Sequence, residues 1–308
     1  QRATLRGDQQ AVLDYHGGTM AITAVPGAGK TFINVELILE LVARGVEPDR
    51  ILVLTYMDSA AKTLLSRLKA KLAGVTPKLP LVSTIHSLAF RILTENDHAV
   101  LLGYRPDDVT ILDDFGRAEV LLAIAQQTLP ESAKSVGDWM RGIDRGIAHA
   151  KTHGITGEQL EAALQRQPAN FRLAEFLPAY RAYQAYLKQE GMLDFTDLIT
   201  HAVQLLDGWP ELREKYRTQF RYVIEDEAQD SSRLLQRFIG LIGGESPNLI
   251  RTGDTNQSIT TTFSSADTSV FRRFIESADT VIRMDQSGRC AAEIMALANA
   301  WMVSAKRI

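Results

Sequence analysis

Short apolar runs alternate with longer helix-spaced segments in the early part of the chain. Met20-Ala21-Ile22-Thr23, Ile51 to Leu54 and Leu81 to Thr84 each have the length of a buried strand, while Phe32 to Arg44, Ser59 to Lys71 and Leu88 to Glu95 carry helical apolar spacing. Ahead of them, Leu5 to Leu13 reads as a helix start with Asp8 as its N-cap. Repeated β-α steps of this kind predict a parallel sheet covered by helices on both faces. The strand signal then stops. From about Asn96 to Gly191 the pattern predicts helices at Glu119 to Thr128, Val136 to His149 and Leu173 to Glu190, with a capping box at Thr156-Gly157-Glu158-Gln159 ahead of Leu160 to Leu164. An all-helical insertion into an α/β domain is the simplest account, with the faces bearing Trp139 and the tyrosines read as packing surface. Strands return at Arg221 to Glu225, Asn248 to Thr252 and Thr280 to Met284, separated by helices at Leu234 to Ile242 and Thr268 to Ser277. Their spacing suits the same sheet, and Gly243-Gly244 with Pro247 marks a loop.

The totals add bounds. At 308 residues, 45% of them apolar, the chain has room for about two domains with sizeable cores. Acidic residues exceed basic ones, 37 to 34, so the net charge of −3 gives no overall attraction to nucleic acid and leaves only a local basic groove for that role. The single cysteine, Cys290, excludes an internal disulfide framework, and a cytoplasmic setting is expected. No apolar run reaches the ~18 residues needed to cross a bilayer, and the start has no signal-peptide pattern, so no membrane partner is expected. The chain opens on Gln1 and stops at Ile308 just after a helical pattern, which suggests a piece of something longer.

Candidate chemistry begins at Ala24-Val25-Pro26-Gly27-Ala28-Gly29-Lys30-Thr31, between a predicted strand and a predicted helix. In such a turn the backbone N–H groups of Gly27 to Thr31 can converge on phosphate oxygens, helped by the helix dipole. Gly27 and Gly29 permit positive φ and close approach, whereas Pro26 stiffens the loop and cannot donate. Lys30 would reach the β- and γ-phosphates of a nucleoside triphosphate, and Thr31 would offer its hydroxyl to Mg²⁺. The strict phosphate-loop pattern has Gly where this chain has Ala24. A glycine-rich turn with a chance Lys-Thr is the plainer alternative.

Phosphoryl transfer also needs a carboxylate near the metal and a group that activates water. Glu225-Asp226-Glu227-Ala228-Gln229-Asp230 follows an apolar strand, at the sheet edge where open α/β sheets bind ligands. Asp226 is the candidate for holding Mg²⁺ and Glu227 for the general base; taken alone, the same run is an acidic helix start favoured by the dipole. At a third strand end, within Gly253-Asp254-Thr255-Asn256-Gln257-Ser258-Ile259, the amide of Gln257 can donate to a γ-phosphate and accept from a water. Gly-Asp-x-Asn is also ordinary turn chemistry.

These segments, with Gln9, Thr55 to Ala61, Thr84-Ile85-His86-Ser87-Leu88-Ala89 and Gln286-Ser287-Gly288-Arg289, follow one another as do the first motifs of superfamily 1 helicases, and the chain resembles the UvrD/Rep/PcrA branch. The resemblance covers both α/β parts. It implies an α/β fold with a RecA-like P-loop sheet. Residues 1–95 and 194–283 would form the first motor domain (1A), 96–193 the helical insertion (1B) and 284–308 the start of a second motor domain (2A). Asp194-Phe195-Thr196-Asp197-Leu198 would mark the return into 1A. It further implies an ATP- and Mg²⁺-dependent motor moving 3′ to 5′ on single-stranded DNA and separating duplexes at junctions. Carried over, Gln9 would read the adenine edge, Gly27 to Thr31 would hold the phosphates, Gln257 would couple the γ-phosphate to DNA and Arg289 would supply transition-state charge. Thr55, Tyr56, Thr84, His86 and Phe263 fall where that family contacts the DNA strand. Without the resemblance, Tyr56 and His86 read more simply as core or turn residues.

Three departures from the pattern stand out. Gly288 replaces an aromatic residue beside Arg289, which puts adenine stacking there in doubt. Thr260-Thr261-Thr262-Phe263 replaces the aromatic and arginine residues after Gln257, leaving only Phe263 to stack a base. The later motifs, with the second RecA-like domain, lie outside the chain, so the expectation is a piece that binds nucleotide weakly and hydrolyses it slowly or not at all. A nucleotide-gated DNA-binding module that does not unwind, and the motor half of a helicase-nuclease, are the other readings.

Overall fold

The computed structural model describes residues 5–95, 109–244, 247–254 and 268–288. Its centre is a six-stranded, all-parallel sheet made of β1 (Thr19–Ala24), β2 (Ile51–Thr55), β3 (Leu81–Thr84), β6 (Tyr222–Asp226), β7 (Asn248–Gly253) and β8 (Thr280–Met284). The order across the sheet is β3-β2-β6-β7-β1-β8. A parallel sheet is buried on both faces, and alternate residues therefore feed two cores. Ile51, Val53, Ile224 and Ile250 enter one core with α1 (Gly7–Leu13), α2 (Lys30–Ala43) and α3 (Asp58–Leu72). Leu52, Leu54, Val223 and Leu249 enter the other, with α4 (Ile85–Thr94), α9 (Phe195–Gly208), α10 (Pro210–Gln219) and α11 (Arg233–Gly243). Each such branched side chain contributes about 1.5–3 kcal/mol when fully buried, so a one-residue slip of any strand would exchange the cores and be rejected.

All strands that were expected from the apolar runs join this one sheet. The first helix differs from expectation. Arg6, not Asp8, is the N-cap: Arg6 N–H donates to Gln9 Oε1 at 3.2 Å, while Asp8 lies in the first turn, where its Oδ1 accepts from Gln9 N–H at 2.9 Å and faces Arg6 Nε at 3.3 Å. Gln9 supplies the cap from the third helical position, which a search for a capping side chain at the helix start passes over.

Between α4 and α9 the described residues form α5 (Asp114–Gln127), α6 (Val136–Thr152), α7 (Gly157–Arg166) and α8 (Phe171–Glu190). Their core of Leu121, Ile124, Ile143, Ile147, Tyr180, Tyr183 and Leu187, flanked by Trp139, is separate from the two sheet cores. The Thr156–Gln159 capping box is formed in both directions. One feature lies beyond the helical pattern: β4 (Thr110–Ile111) pairs in parallel with β5 (Met192–Leu193) where the chain enters and leaves this helical part. Two residues are too few to leave a periodic signal.

A buried charge cluster fastens the helical part to α9. Asp194 caps α9 by accepting from Asp197 N–H at 2.9 Å. Its Oδ2 also accepts from Lys151 Nζ at 2.7 Å, Tyr183 Oη–H at 3.0 Å and Arg117 Nη1 at 3.1 Å, and Lys151 reaches Asp197 Oδ2 at 2.7 Å. Burial works against ionisation of Asp194, yet Lys151 and Arg117 hold its carboxyl below the usual range. Among the described residues no helix is long and apolar enough to cross a membrane.

Removing one partner from a buried, multiply bonded charge cluster strands the others. Lys151→Met is therefore expected to lower unfolding stability by about 3 kcal/mol, read as a lower urea midpoint, whereas Arg141→Ala at the exposed Arg141–Asp138 pair leaves the midpoint where it was. Equal midpoints for both variants would contradict the role given to the cluster.

Candidate active site

The parallel register brings the strand ends to one edge. Thr55 stands beside Thr84, Asp226 beside Thr252, Thr23 beside Gly253 and Ala24 beside Met284. From that edge the chain after β1 turns back tightly. Val25 N–H donates to Met284 O at 3.1 Å, and Ala28 N–H donates to Val25 O at 3.0 Å. Gly27 (φ 76°) and Gly29 (φ 94°) take the left-handed conformations that glycine adopts without strain. Gly29 is the N-cap of α2 and offers no side chain there; the first helical bond runs from Ile33 N–H to Gly29 O at 2.9 Å. The amides of Lys30, Thr31 and Phe32 thus precede the helical ladder at the positive end of a dipole, which is the arrangement phosphate oxygens require. Ala28 is the exception within the expected cradle, because its N–H is already used by the turn.

The outer side of the loop is held by the start of α1. Arg6 Nη2 and Gln9 Nε2 both donate to Ala28 O, at 2.8 and 3.3 Å, and Gly288 N–H donates to Gly27 O at 3.0 Å. Gln9 is buried, and both ends of its amide are engaged within the protein. It braces the loop, and both of the amide groups expected to read an adenine edge are taken up inside the protein. Arg6 carries no motif signal and was found only through the structure.

Lys30 and the acidic strand end meet. Lys30 Nζ lies 2.8 Å from Glu227 Oε2, with the lysine side chain 12% and the glutamate 41% exposed. Glu227 has φ 55° and ψ 42°, and among the described residues it alone departs from negative φ without being glycine. Such strain persists where surrounding contacts over-determine it, and it concentrates at functional sites. Glu227 N–H donates to Asp226 Oδ1 at 3.1 Å, and Gln229 Nε2 donates to Glu227 Oε2 at 2.9 Å. Asp226 is almost fully buried; burial, and next the neighbouring Glu227 charge, raise its pKa to about 7. Lys30 opposes that shift only in part.

This donor set suits a nucleoside triphosphate with Mg²⁺. Hard carboxylate and hydroxyl oxygens from Asp226 and Thr31 match magnesium, which takes one or two carboxylates and completes its shell with water and phosphate. A divalent cation beside Asp226 would also relieve the unfavourable buried charge.

The adjacent residue of β6 points to the opposite face. Glu225 Oε1 accepts from Tyr56 Oη–H at 2.9 Å, and its Oε2 faces Arg251 Nε at 2.8 Å, a charge contact off the line of a hydrogen bond. The Arg251 guanidinium covers the Phe274 ring at 4.7 Å. Burial, then Glu225, push the Tyr56 hydroxyl well above its ordinary pKa. Thr55 is buried and donates to Met57 O at 3.1 Å, Thr84 caps α4 by accepting from Ser87 N–H at 3.1 Å, and His86 packs edge-on to Phe195 with ring centroids 5.1 Å apart. Burial lowers the His86 pKa. All four residues stand on the β2–β3 side of the same edge, Thr55 and Thr84 buried, and Met57 and Phe195 beside them present exposed apolar surface. Gln257, Phe263 and Arg289 lie outside the described residues.

The family model of the UvrD/REP helicase N-terminal domain matches residues 5–279. The ATP-dependent DNA helicase PcrA of Leuconostoc citreum is 30% identical over 244 residues, 79% of this chain and 31% of that protein. PcrA of Staphylococcus epidermidis is 27% identical over 256 residues, 83% and 34% of the two chains, and PcrA of Staphylococcus aureus is 28% identical over 243, 79% and 32%. The chain spans about a third of the length of these curated relatives.

The state of Asp226 sets a pH dependence. Between its ordinary pKa of 3.8 and about 7, the folded protein keeps a proton there that the unfolded chain releases, so this residue's contribution to stability falls as the pH rises through that window. Asp226→Asn is expected to raise the melting temperature of the nucleotide- and metal-free protein at pH 8 and to raise it less at pH 5. An equal effect at both pH values would rule out the buried charge as its source.

Proposed function

Because this chain belongs to the family of UvrD/REP helicase N-terminal domains, we propose that it is the nucleotide-binding part of an ATP-dependent DNA helicase that moves 3′ to 5′ on single-stranded DNA. The observation that carries the reading is the Lys30–Glu227 contact, which joins the phosphate loop to the acidic end of another strand. In this reading residues 1–95 and 194–283 form the first motor domain, 96–193 an insertion, and 284–308 lead into a second RecA-like domain that forms the other wall of the ATP site.

The loop amides and Lys30 bind the phosphates, and Thr31 with Asp226 holds Mg²⁺. The bound metal neutralises phosphate charge. Lys30 leaves Glu227 for the triphosphate, which frees that carboxylate to accept a proton from the attacking water. Gln257 and Arg289 act at the γ-phosphate, and Gln9 reaches the base by exchanging its bonds to Arg6 and Ala28 for the adenine edge. Tyr56 and His86 lie toward the DNA strand with the buried Thr55 and Thr84 packed behind them, and Phe263 adds a base contact, since apolar and aromatic surfaces grip bases without reading sequence. Opening and closing between two motor domains converts hydrolysis into movement.

In the full-length protein, Glu227→Gln is expected to lower DNA-stimulated ATP turnover by about 10²-fold or more while leaving ATP binding intact. Unchanged turnover would remove Glu227 from the role of base. DNA-stimulated hydrolysis without strand displacement on a 3′-tailed duplex would instead support a nucleotide-gated binding module, the reading motivated by Thr260-Thr261-Thr262 after Gln257.

A further inference from the structure

Two residues beyond Glu227, Gln229 is 4% exposed and has both ends of its amide committed. Its Oε1 accepts from Asp254 N–H at 2.9 Å, and its Nε2 donates to Glu227 Oε2 at 2.9 Å. The orientation of this amide is forced. A backbone N–H can only donate, so the oxygen must face Asp254, and the NH₂ group is then turned toward a carboxylate that can only accept.

The other side of the amide is closed by β7. A Cβ at Gly253 would lie 2.8 Å from Gln229 Oε1 and 2.7 Å from the Phe271 ring, which is itself buried. Residue 253 is therefore a place where only glycine lets the strand end approach the amide and α12 (Thr268–Ser277) together. Gln229 fills the space between the end of β7 and the turn that carries Glu227.

Glu227 needs such support. Its side chain is substantially exposed and its backbone is left-handed, so nothing intrinsic fixes its rotamer. Of its two side-chain partners, Lys30 is the one a triphosphate would draw away. We propose that Gln229 is the positioning residue for the general base: it keeps the Glu227 carboxylate aimed once Lys30 has left, and it ties that aim to the position of the β7 end. The inference rests on Glu227 being the base, as proposed above.

The test is ATP hydrolysis by the full-length protein with single-stranded DNA, comparing Gln229→Met, Gln229→Glu, Glu227→Gln and the Glu227→Gln/Gln229→Met double variant. Gln229→Met removes both hydrogen bonds at similar volume. Gln229→Glu keeps the acceptor for Asp254 and replaces the donor to Glu227 with a like charge. Misaiming a catalytic group by about 1 Å costs on the order of 10²-fold, so kcat is expected to fall about ten- to a hundredfold in both single variants. The KM for ATP should stay within about twofold, because ground-state binding is not what Gln229 serves. In the Glu227→Gln background the second substitution should cost nothing more, as residues that act as one unit are not additive. Melting temperatures report folding separately, and a purely structural role would show as a lower melting temperature with additive losses. Full kcat in Gln229→Glu, or additive losses in the double variant, would overturn the inference while leaving the functional reading standing. No hydrolysis by the unsubstituted protein would remove both.

Discussion

An ammonium held 2.8 Å from a carboxylate across two strands is the contact on which the site depends. Its energy is modest, since both side chains are partly exposed and such pairs contribute about 1 kcal/mol or less. Its importance is geometric. It fixes the distance between a loop of outward-facing amides and a pair of carboxylates, and so defines a space with positive charge on one wall and negative charge on the other. The unfavourable charge in this arrangement sits at Asp226, whose pKa burial and then Glu227 raise to about 7. A carboxylate whose ionisation is made costly by its surroundings is one that a divalent cation can occupy with gain.

The fold maintains that geometry by alternation along β6. Asp226 faces the loop, while Glu225 turns to the other face and is enclosed by Tyr56 and Arg251. Neighbouring positions of one strand thus connect the candidate phosphate site with the β2 end, where Thr55 and Tyr56 stand. A buried ion pair of this kind is weak evidence for stability, but it specifies one arrangement of three strands and the Phe274 ring. The Asp194 cluster plays the corresponding part for the helical section, fixing α5, α6 and α8 against the N-terminus of α9.

Much of this was legible in the residues. Strand runs such as Ile51 to Leu54 carry their own signal because a two-faced parallel sheet needs unbroken apolar residues, and the Gly-x-Gly-Lys-Thr turn announces its backbone requirements directly. The meeting of Lys30 with Glu227 was implied by strand ends sharing an edge. What was not legible depends on partners distant in sequence. Nothing local marks Arg6 as a brace for Ala28, or Gln229 as a bridge to Asp254, because each role exists only after β1, β6 and β7 have paired. Gln229 had one faint signal, an amide two residues from a candidate base in a turn that has to be buried. The cap of α1 was misplaced because its donor and acceptor come from Arg6 N–H and the Gln9 side chain, while Asp8 merely has the right residue type.

The most direct measurement is a crystal structure with a non-hydrolysable ATP analogue and Mg²⁺. The account predicts the triphosphate on the backbone of residues 27–31, magnesium beside Thr31 and Asp226, and Lys30 withdrawn from Glu227 to phosphate oxygens, with Gln229 still bonded to the glutamate. Nucleotide bound elsewhere, with the Lys30–Glu227 pair intact, would contradict it.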